Sequence, residues 1–147
     1  MHIRSFYLSF ILVVGLLGGV SPPEGQAQIE ELPRPDRAHA ATFGVSVALG
    51  DSLAVVGASG EEECGDNSGA VYVYEREPRP QFDSWRLTAR LTPRPCRPNA
   101  FFGERVALSG SRVLVSASSE HFADEGANAA YMFRRDTTGT WRQTTRF

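Results

Sequence analysis

The stretch FGVSVALGDSLAVVGA at residues 43–58 decides the fold, because most of the chain after it repeats the same pattern. An offset of 59 residues brings it onto FGERVALSGSRVLVSA at residues 102–117. The same offset places AVYVYER at 70–76 on AAYMFRR at 129–135. A period of about 60 residues, built from short apolar runs and turn residues, is typical of arrays in which each unit stacks on its neighbour. The chain is therefore predicted to contain two repeat units.

Alternating apolar and polar residues predict four short strands in each unit. The turn at Gly50–Ser52 is short enough for a hairpin, and the strand after it is apolar on both faces, as expected of a buried central strand. In the fourth strand, Trp85, Leu87, Ala89 and Leu91 are expected to point inward. The predicted strands are 43–49, 53–58, 70–76 and 85–91 in the first unit, and 102–108, 113–117, 129–135 and 141–147 in the second.

Length and composition favour one globular domain of modest size. The chain has 147 residues, of which 41% are apolar and 22% are charged, values that are ordinary for a globular protein. The formal net charge of −2 opposes a nucleic-acid partner, because such a partner needs a basic protein surface.

The first 27 residues have the three-part layout of a secretory signal peptide. Two polar residues, His2 and Arg4, precede an apolar run at 6–20, and small residues follow up to Ala27. We predict cleavage after Ala27, which would make the chain secreted, periplasmic or attached to the cell surface, with no membrane contact afterwards. Retention as an anchor is the alternative, although the apolar run is short for a bilayer span. Residues 28–42 are predicted to be a connector, in which LPRPDR at 32–37 echoes LTPRPCR at 91–97.

Three motifs of the first unit resemble the FG-GAP repeat of integrin alpha chains and of many exported bacterial proteins. They are Phe43-Gly44, Gly57-Ala58 and the run GAVYVY at 69–74. The second unit keeps Phe102-Gly103, but serine and asparagine replace the other two glycines. The resemblance implies an all-β fold of two four-stranded antiparallel β-propeller blades, at 43–101 and 102–147. Because a closed propeller takes about four to eight blades, two blades form an incomplete propeller.

The resemblance also bears on metal binding. Integrin-like members of the family carry an aspartate-rich Ca²⁺ loop between the first and second strands of a blade. Here Gly50–Ser52 and Ser109–Ser111 occupy those places and supply one carboxylate at most. Since Ca²⁺ takes about six to eight oxygen ligands, we predict no metal and no other cofactor, as in metal-free bacterial members.

Polar loop residues are the candidates for ligand contact. The carboxylates between residues 61 and 66 could hold a cation, but they have no fixed ligand spacing, so a solvated acidic loop is the preferred interpretation. His121 beside Asp124 suggests a general base, yet no nucleophile with its own partner is identifiable, and no catalytic residue is predicted. The candidate binding residues are Glu61, Glu62, Glu63, Asp66, Asn67, His121, Asp124 and Glu125.

The loops that carry these residues are expected on one edge of the blades. In an up-and-down blade, the loop between strands two and three and the connector to the next blade emerge on the same side, which places 59–69, 92–101 and 118–128 together. The only cysteines, Cys64 and Cys96, lie in two of these segments. Export would favour a disulfide between them. Two free thiols are the alternative.

These features predict an exported, non-catalytic binding or structural module that presents loops to a protein or carbohydrate partner. An enzyme is the first alternative, because some exported hydrolases and lyases carry propellers. A truncated remnant without function is the second. The open faces of two unclosed blades further predict self-association or marginal stability.

Overall fold

The computed structural model describes residues 32, 33, 35, 42–78, 84–118 and 128–147. The predicted signal peptide and most of the connector lie outside these residues. The described part of the chain has no helix that is long and apolar enough to cross a membrane. It contains the strands β1 (Phe43–Leu49), β2 (Leu53–Ala58), β3 (Ala70–Glu77), β4 (Ser84–Leu91), β5 (Val106–Ser109), β6 (Arg112–Ala117), β7 (Ala129–Arg135) and β8 (Trp141–Arg146).

The strands form two antiparallel sheets in sequence order, β1-β2-β3-β4 in sheet 1 and β5-β6-β7-β8 in sheet 2. The predicted all-β fold of two four-stranded blades is confirmed. The fifth strand is an exception, because it begins at Val106 and not at Phe102. The backbone of Phe102 and Gly103 turns instead toward sheet 1, where Phe102 bridges to Gly69.

The main core lies between the two sheets. Sheet 1 contributes its covered face, which consists of Leu53, Val55, Val71, Val73 and Leu91. The covered face of sheet 2 packs against it and consists of Phe102, Val113, Val115, Ala117, Tyr131 and Phe133. Alternate residues of each strand enter this layer because successive side chains of a strand point to opposite faces. The sheets are therefore joined by a continuous apolar layer.

The opposite face of sheet 1, its open face, has a smaller core of its own. Its buried residues are Ala54, Val56, Ala58, Ala70, Tyr72 and Tyr74. Leu32, Phe43 and Trp85 pack against them and are only partly buried. At the β1 edge of this face, Val45, Val47 and Leu49 are 47%, 56% and 69% exposed. No second sheet covers this face in the described part of the chain.

The inward alternation predicted for β4 is wrong, and a bulge explains the error. Val73 pairs with Ala89 but the next residue, Tyr74, pairs with Leu87, so Thr88 is an extra residue in β4. A bulge shifts the side-chain phase of the strand that carries it. As a result Trp85 packs against the open face while Ala89 packs against the main core.

The sheets approach each other most closely at three glycines. A Cβ atom at Gly57 would overlap the carbonyl oxygen of Gly103, and one at Gly69 would overlap the backbone of Phe102. At Gly103, with φ of 93°, a Cβ would lie 2.6 Å from the carbonyl oxygen of Ala70. Only glycine permits this backbone contact at these positions. The backbone turn at Phe102-Gly103, which we call the Phe-Gly corner, therefore packs directly against sheet 1.

Candidate functional site

Two of the three segments predicted to share an edge come together at one edge of sheet 1. Residues 59–69 join β2 to β3, and residues 92–101 leave β4 toward sheet 2. The predicted disulfide between Cys64 and Cys96 is present, with Sγ atoms 2.01 Å apart and Cα atoms 5.9 Å apart. The shared edge is confirmed for these two segments, which we call the loop platform. Of the third segment, 118–128, only the two end residues are described.

Main-chain hydrogen bonds also hold the loop platform together. The amides of Asn99, Phe101 and Phe102 donate to the carbonyl oxygens of Asp66, Asn67 and Ser68, respectively. Asn67 and Asn99 have φ values of 50° and 54°, a left-handed conformation that asparagine tolerates better than most residues. Because the loops are linked by main chain as well as by the disulfide, their exposed side chains are displayed on a fixed backbone.

Glu61, one of the predicted binding residues, is buried and not solvated. The carboxylate is only 3% exposed and accepts a hydrogen bond from the hydroxyl of Tyr72. Its other oxygen accepts from Nε of Arg90 at 3.0 Å and pairs with a second guanidinium nitrogen of the same arginine. Burying a carboxylate is costly unless it is paired and hydrogen-bonded, and both oxygens of Glu61 are satisfied in this way. Glu61 therefore supports the platform from within.

The other acidic residues of this loop remain at the surface. Glu63 is exposed but pairs with Arg90, whereas the side chains of Glu62 and Asp66 are exposed and have no ion pair among the described residues. Asn67 is half-buried and contacts Asn99, with 3.4 Å between Nδ2 and Oδ1. The described residues contain no group of three or more His, Cys, Asp or Glu that could hold a metal ion. The predicted candidates His121, Asp124 and Glu125 lie outside the described residues.

Tyr72 and Arg90 are cross-strand partners in sheet 1, and the same pairing recurs in sheet 2 as Tyr131 and Arg146. Nε of Arg146 lies 3.3 Å from the tyrosine hydroxyl, and its guanidinium carbon lies 6.0 Å from the ring centroid. The sequence carried a signal for this pair, because both tyrosines and both arginines recur at matching positions of the two units. Strand alternation correctly places Arg90 on the face opposite to Ala89 and Leu91, but it does not reveal that the buried Glu61 carboxylate lies on that side of the sheet.

A groove of about 360 Å³ runs between the two sheets beside β4 and β8. Its lining includes Arg90, Arg94, Trp141, Arg142 and Gln143. Gln143 closes one end by pairing with the main chain of Arg94, with both hydrogen bonds at 2.8 Å. Two of the arginines are neutralised, since Arg90 pairs with Glu61 and Arg142 with Asp136. The groove is therefore polar and partly filled by its own contacts.

Two titratable groups in the described part of the chain have shifted pKa values, and both have structural hydrogen bonds. Burial raises the pKa of Tyr74 to about 12, so its neutral hydroxyl donates a hydrogen bond to the carbonyl oxygen of Pro33 at 2.9 Å. In the turn between β7 and β8, the hydroxyl of Thr138 and the amide of Thr140 lower the pKa of Asp136 to about 2. A hydrogen bond to the charged form favours that form. Neither group has the exposed, near-neutral titration expected of an acid–base catalyst.

Comparison with protein families decides the classification of the chain. The model of the FG-GAP repeat matches residues 27–74 and 85–133, which together make up more than half of the chain. The chain belongs to the FG-GAP repeat family. A search of curated proteins finds no match.

The FG-GAP matches are offset from the sheets by one strand. The second match begins at residue 85, so it takes β4 of sheet 1 together with β5, β6 and β7 of sheet 2. The first match begins at residue 27, outside the described residues. An FG-GAP sequence unit thus includes strands of both sheets, and the Phe-Gly motif of the second unit meets the two Gly-Ala motifs of the first unit where the sheets pack.

Proposed function

We propose that this FG-GAP protein is an exported, non-catalytic module that binds a protein or carbohydrate partner through the loop platform. The observation that carries the proposal is the cross-linking of segments 59–69 and 92–101 by the Cys64–Cys96 disulfide. Binding residues are commonly found on loops that a rigid scaffold positions. A disulfide in this position is compatible with an extracellular location, since disulfides persist in oxidising compartments.

A non-catalytic role agrees with the chemistry of the platform. Its one buried carboxylate, Glu61, is only 3% exposed and uses both oxygens to accept from Tyr72 and Arg90. The side chains that do face solvent, Glu62 and Asp66, would contribute charge and hydrogen-bond acceptors to a binding surface. They suit a partner with basic or hydroxyl groups.

The proposal is tested with the chain purified after export and a glycan array together with a panel of the producing organism's exported proteins. The wild type is expected to bind at least one probe, and the double variant Glu62→Arg/Asp66→Arg is expected to lose that binding at least tenfold. Asp51→Arg is the matched control, because Asp51 is an exposed carboxylate in the tight turn between β1 and β2. Binding that survives the double variant but is lost in the control would assign the ligand to another surface.

Export itself is tested by sequencing the N-terminus of the protein recovered outside the cytoplasm. We expect the sequence to begin at Gln28. Recovery of the chain only in the cytoplasm, with Cys64 and Cys96 reduced, would contradict the proposed location.

A further inference from the structure

Three arginines stand side by side on the outer face of sheet 2, the face turned away from sheet 1. Arg112 in β6 is the cross-strand partner of Arg134 in β7, and Arg134 is the partner of Arg142 in β8. Val113 and Phe133, the chain neighbours of the first two, belong to the main core, so strand alternation turns the arginines outward. Directly opposite residues have Cβ atoms about 4.5–5.5 Å apart. We call these three residues the arginine row.

The protein itself neutralises little of the charge of the arginine row. Arg112 and Arg134 are exposed and form no ion pair in the part of the chain that the structure describes. Nε of Arg142 lies 3.3 Å from a carboxylate oxygen of Asp136, but the arginine side chain is 72% exposed, so solvent weakens this pair. The formal net charge of the whole chain is −2, so the row is a local basic patch on an acidic protein.

This arrangement costs stability as long as nothing binds to it. Like charges directly opposite each other destabilise an antiparallel pair of strands, and Arg134 has an arginine on both sides. The next residue, Arg135, is a contrast, because its Nη2 lies 3.2 Å from a carboxylate oxygen of Glu75 in sheet 1. Residues that break a local rule without a compensating contact are expected where a ligand binds. The row therefore points to anions supplied from outside the chain.

The topology of sheet 2 limits what can supply those anions. β6 lies between β5 and β7, and β7 lies between β6 and β8, so the main-chain groups of both strands pair within the sheet. An extended peptide cannot add to them as a further strand, and the ligand must be held by side chains. Because neighbouring strands lie about 4.8 Å apart, the row extends about 10 Å from β6 to β8. A ligand with several acid groups in series matches this length better than a single small anion does.

The surroundings of the row indicate a hydroxyl-rich ligand. Ser109 continues the row into β5 as the partner of Arg112, and Ser111 and Thr137 are exposed in the tight turns at the same end of the sheet. A shallow cavity of about 380 Å³ opens beside Ser111 and Thr137. A lipid surface would need large apolar side chains at this exposed end, and the described residues there carry hydroxyl groups instead.

We propose that the arginine row binds an acidic polysaccharide with carboxylate groups on successive sugars. The guanidinium groups present paired N–H donors that match a carboxylate, and the hydroxyls of Ser109, Ser111 and Thr137 hydrogen-bond to the sugar hydroxyls. The row lies at the tight-turn end of sheet 2, whereas the loop platform lies at the opposite end of the strands. It is a second site, and the inference stands independently of the proposed function.

The test is calorimetric titration of the mature chain with a short oligogalacturonate. The wild type is expected to bind it at least tenfold more tightly than a neutral maltodextrin of the same length. Arg134→Gln should weaken binding of the oligogalacturonate at least tenfold, because it removes a charged hydrogen-bond donor from the centre of the row. Arg112→Gln, at one end of the row, gives an independent second measurement and should also weaken binding.

Arg105→Gln is the matched control, because it removes one exposed arginine that is not in the row. Arg105 pairs with Ser116 through the main chain, and Ser116 lies about 13 Å along β6 from Arg112. At about 0.15 M salt, charges more than about 8 Å apart are largely screened, so the control should change the affinity less than twofold. Equal losses in Arg105→Gln and Arg134→Gln would reduce the effect to overall charge and overturn the proposed site.

Stability without saccharide gives a second readout. Arg134→Gln should raise the thermal midpoint of the unliganded chain by about 1–4 °C, because it relieves the repulsion from both neighbouring arginines. A lower midpoint would contradict the like-charge argument. The platform variant Glu62→Arg/Asp66→Arg should keep its affinity for oligogalacturonate, so failure of the proposed function and failure of this inference are separate results.

Other occupants are outcomes of the same experiment that would overturn the proposal. Tighter binding to polyglutamate than to oligogalacturonate would assign the row to an acidic protein, and tighter binding to phosphatidylglycerol vesicles would assign it to a lipid surface. Leu114 and Met132, cross-strand partners on the same outer face, report on self-association. Wild-type dimers that protect both residues from hydroxyl radicals would make a second copy of the chain the occupant.

Discussion

The two sheets place the same residue types at equivalent positions, yet those residues have different environments. Val106 and Leu108 of sheet 2 pack against the main core, whereas their counterparts Val47 and Leu49 in sheet 1 are 56% and 69% exposed. The two pairs differ in what covers them. Sheet 1 covers Val106 and Leu108, whereas none of the described residues forms a layer over Val47 and Leu49. A repeat sequence therefore specifies a face that suits a neighbour, and burial depends on whether the neighbour is there.

Truncating the two equivalent phenylalanines, Phe102 and Phe43, should give the largest and most unequal losses in the free energy of unfolding. Phe102 is fully buried between the sheets, and Phe102→Ala is expected to lower the free energy of unfolding by about 3–5 kcal/mol. Phe43 is half-buried, so Phe43→Ala should cost about 1–2 kcal/mol. Urea unfolding followed by circular dichroism measures both. Equal losses would mean that the two corners are equally packed in solution.

The disulfide should contribute nearly as much to the free energy of unfolding as the Phe102 side chain does. It is present in only one of the two units. The bond joins residues 32 apart, and Cys64→Ala/Cys96→Ala is expected to lower the free energy of unfolding by about 3.5–4 kcal/mol in the chain-entropy model. Reduction of the wild type should shift the urea midpoint as far as the double variant does. A thiol reagent applied to the denatured, unreduced protein should detect no free thiol. Two reactive groups per chain would contradict the bond.

Removing the charge of the buried Glu61 carboxylate should lower the free energy of unfolding by an intermediate amount. The effect should distinguish Glu61 from the exposed Glu62 in the same loop. Glu61→Gln keeps the size of the side chain but removes the charge that faces Arg90, and we expect a loss of about 2 kcal/mol. Glu62→Gln is the matched control, because Glu62 is exposed, and its effect should stay within about 0.5 kcal/mol. Thermal unfolding of the two variants at one pH compares them directly. Equal effects would place Glu61 in solvent.

The smallest expected effect on stability is that of protonating Asp136 in the hairpin turn of sheet 2. Hydrogen bonds from Thr138 and Thr140 lower the folded-state pKa of Asp136 to about 2, against an ordinary value of 3.8. The stabilisation is therefore fully present above about pH 4 and is lost as the pH falls through about 2. The protection of the Thr138 and Thr140 amides against hydrogen exchange, measured relative to the intrinsic exchange rate at each pH, should fall over this interval. Asp136→Asn should remove the pH dependence, and a loss of protection that begins near pH 5 would point to a different carboxyl group.

Sequence reasoning predicted much of the candidate site because the relevant signals are local or topological. Cys64 and Cys96 lie in segments that an up-and-down sheet must bring to the same edge, so their pairing followed from connectivity. The burial of Glu61 could not be predicted in this way. It depends on Arg90 and Tyr72, which are cross-strand partners, meeting the Glu61 carboxylate from the loop after β2, and no local pattern reveals that contact.

By itself, the sequence determined the two units, the positions of all strands except the start of β5, the tight turns and the family. Each of these follows from periodicity or from short motifs, which reflect the alternation of side chains along a strand. The tertiary structure alone decided which faces are covered, which glycines receive the Phe-Gly corner and which carboxylate is buried. Those outcomes depend on contacts between residues distant along the chain, such as Gly57 with Gly103 and Glu75 with Arg135, and no local pattern encodes whether such partners meet.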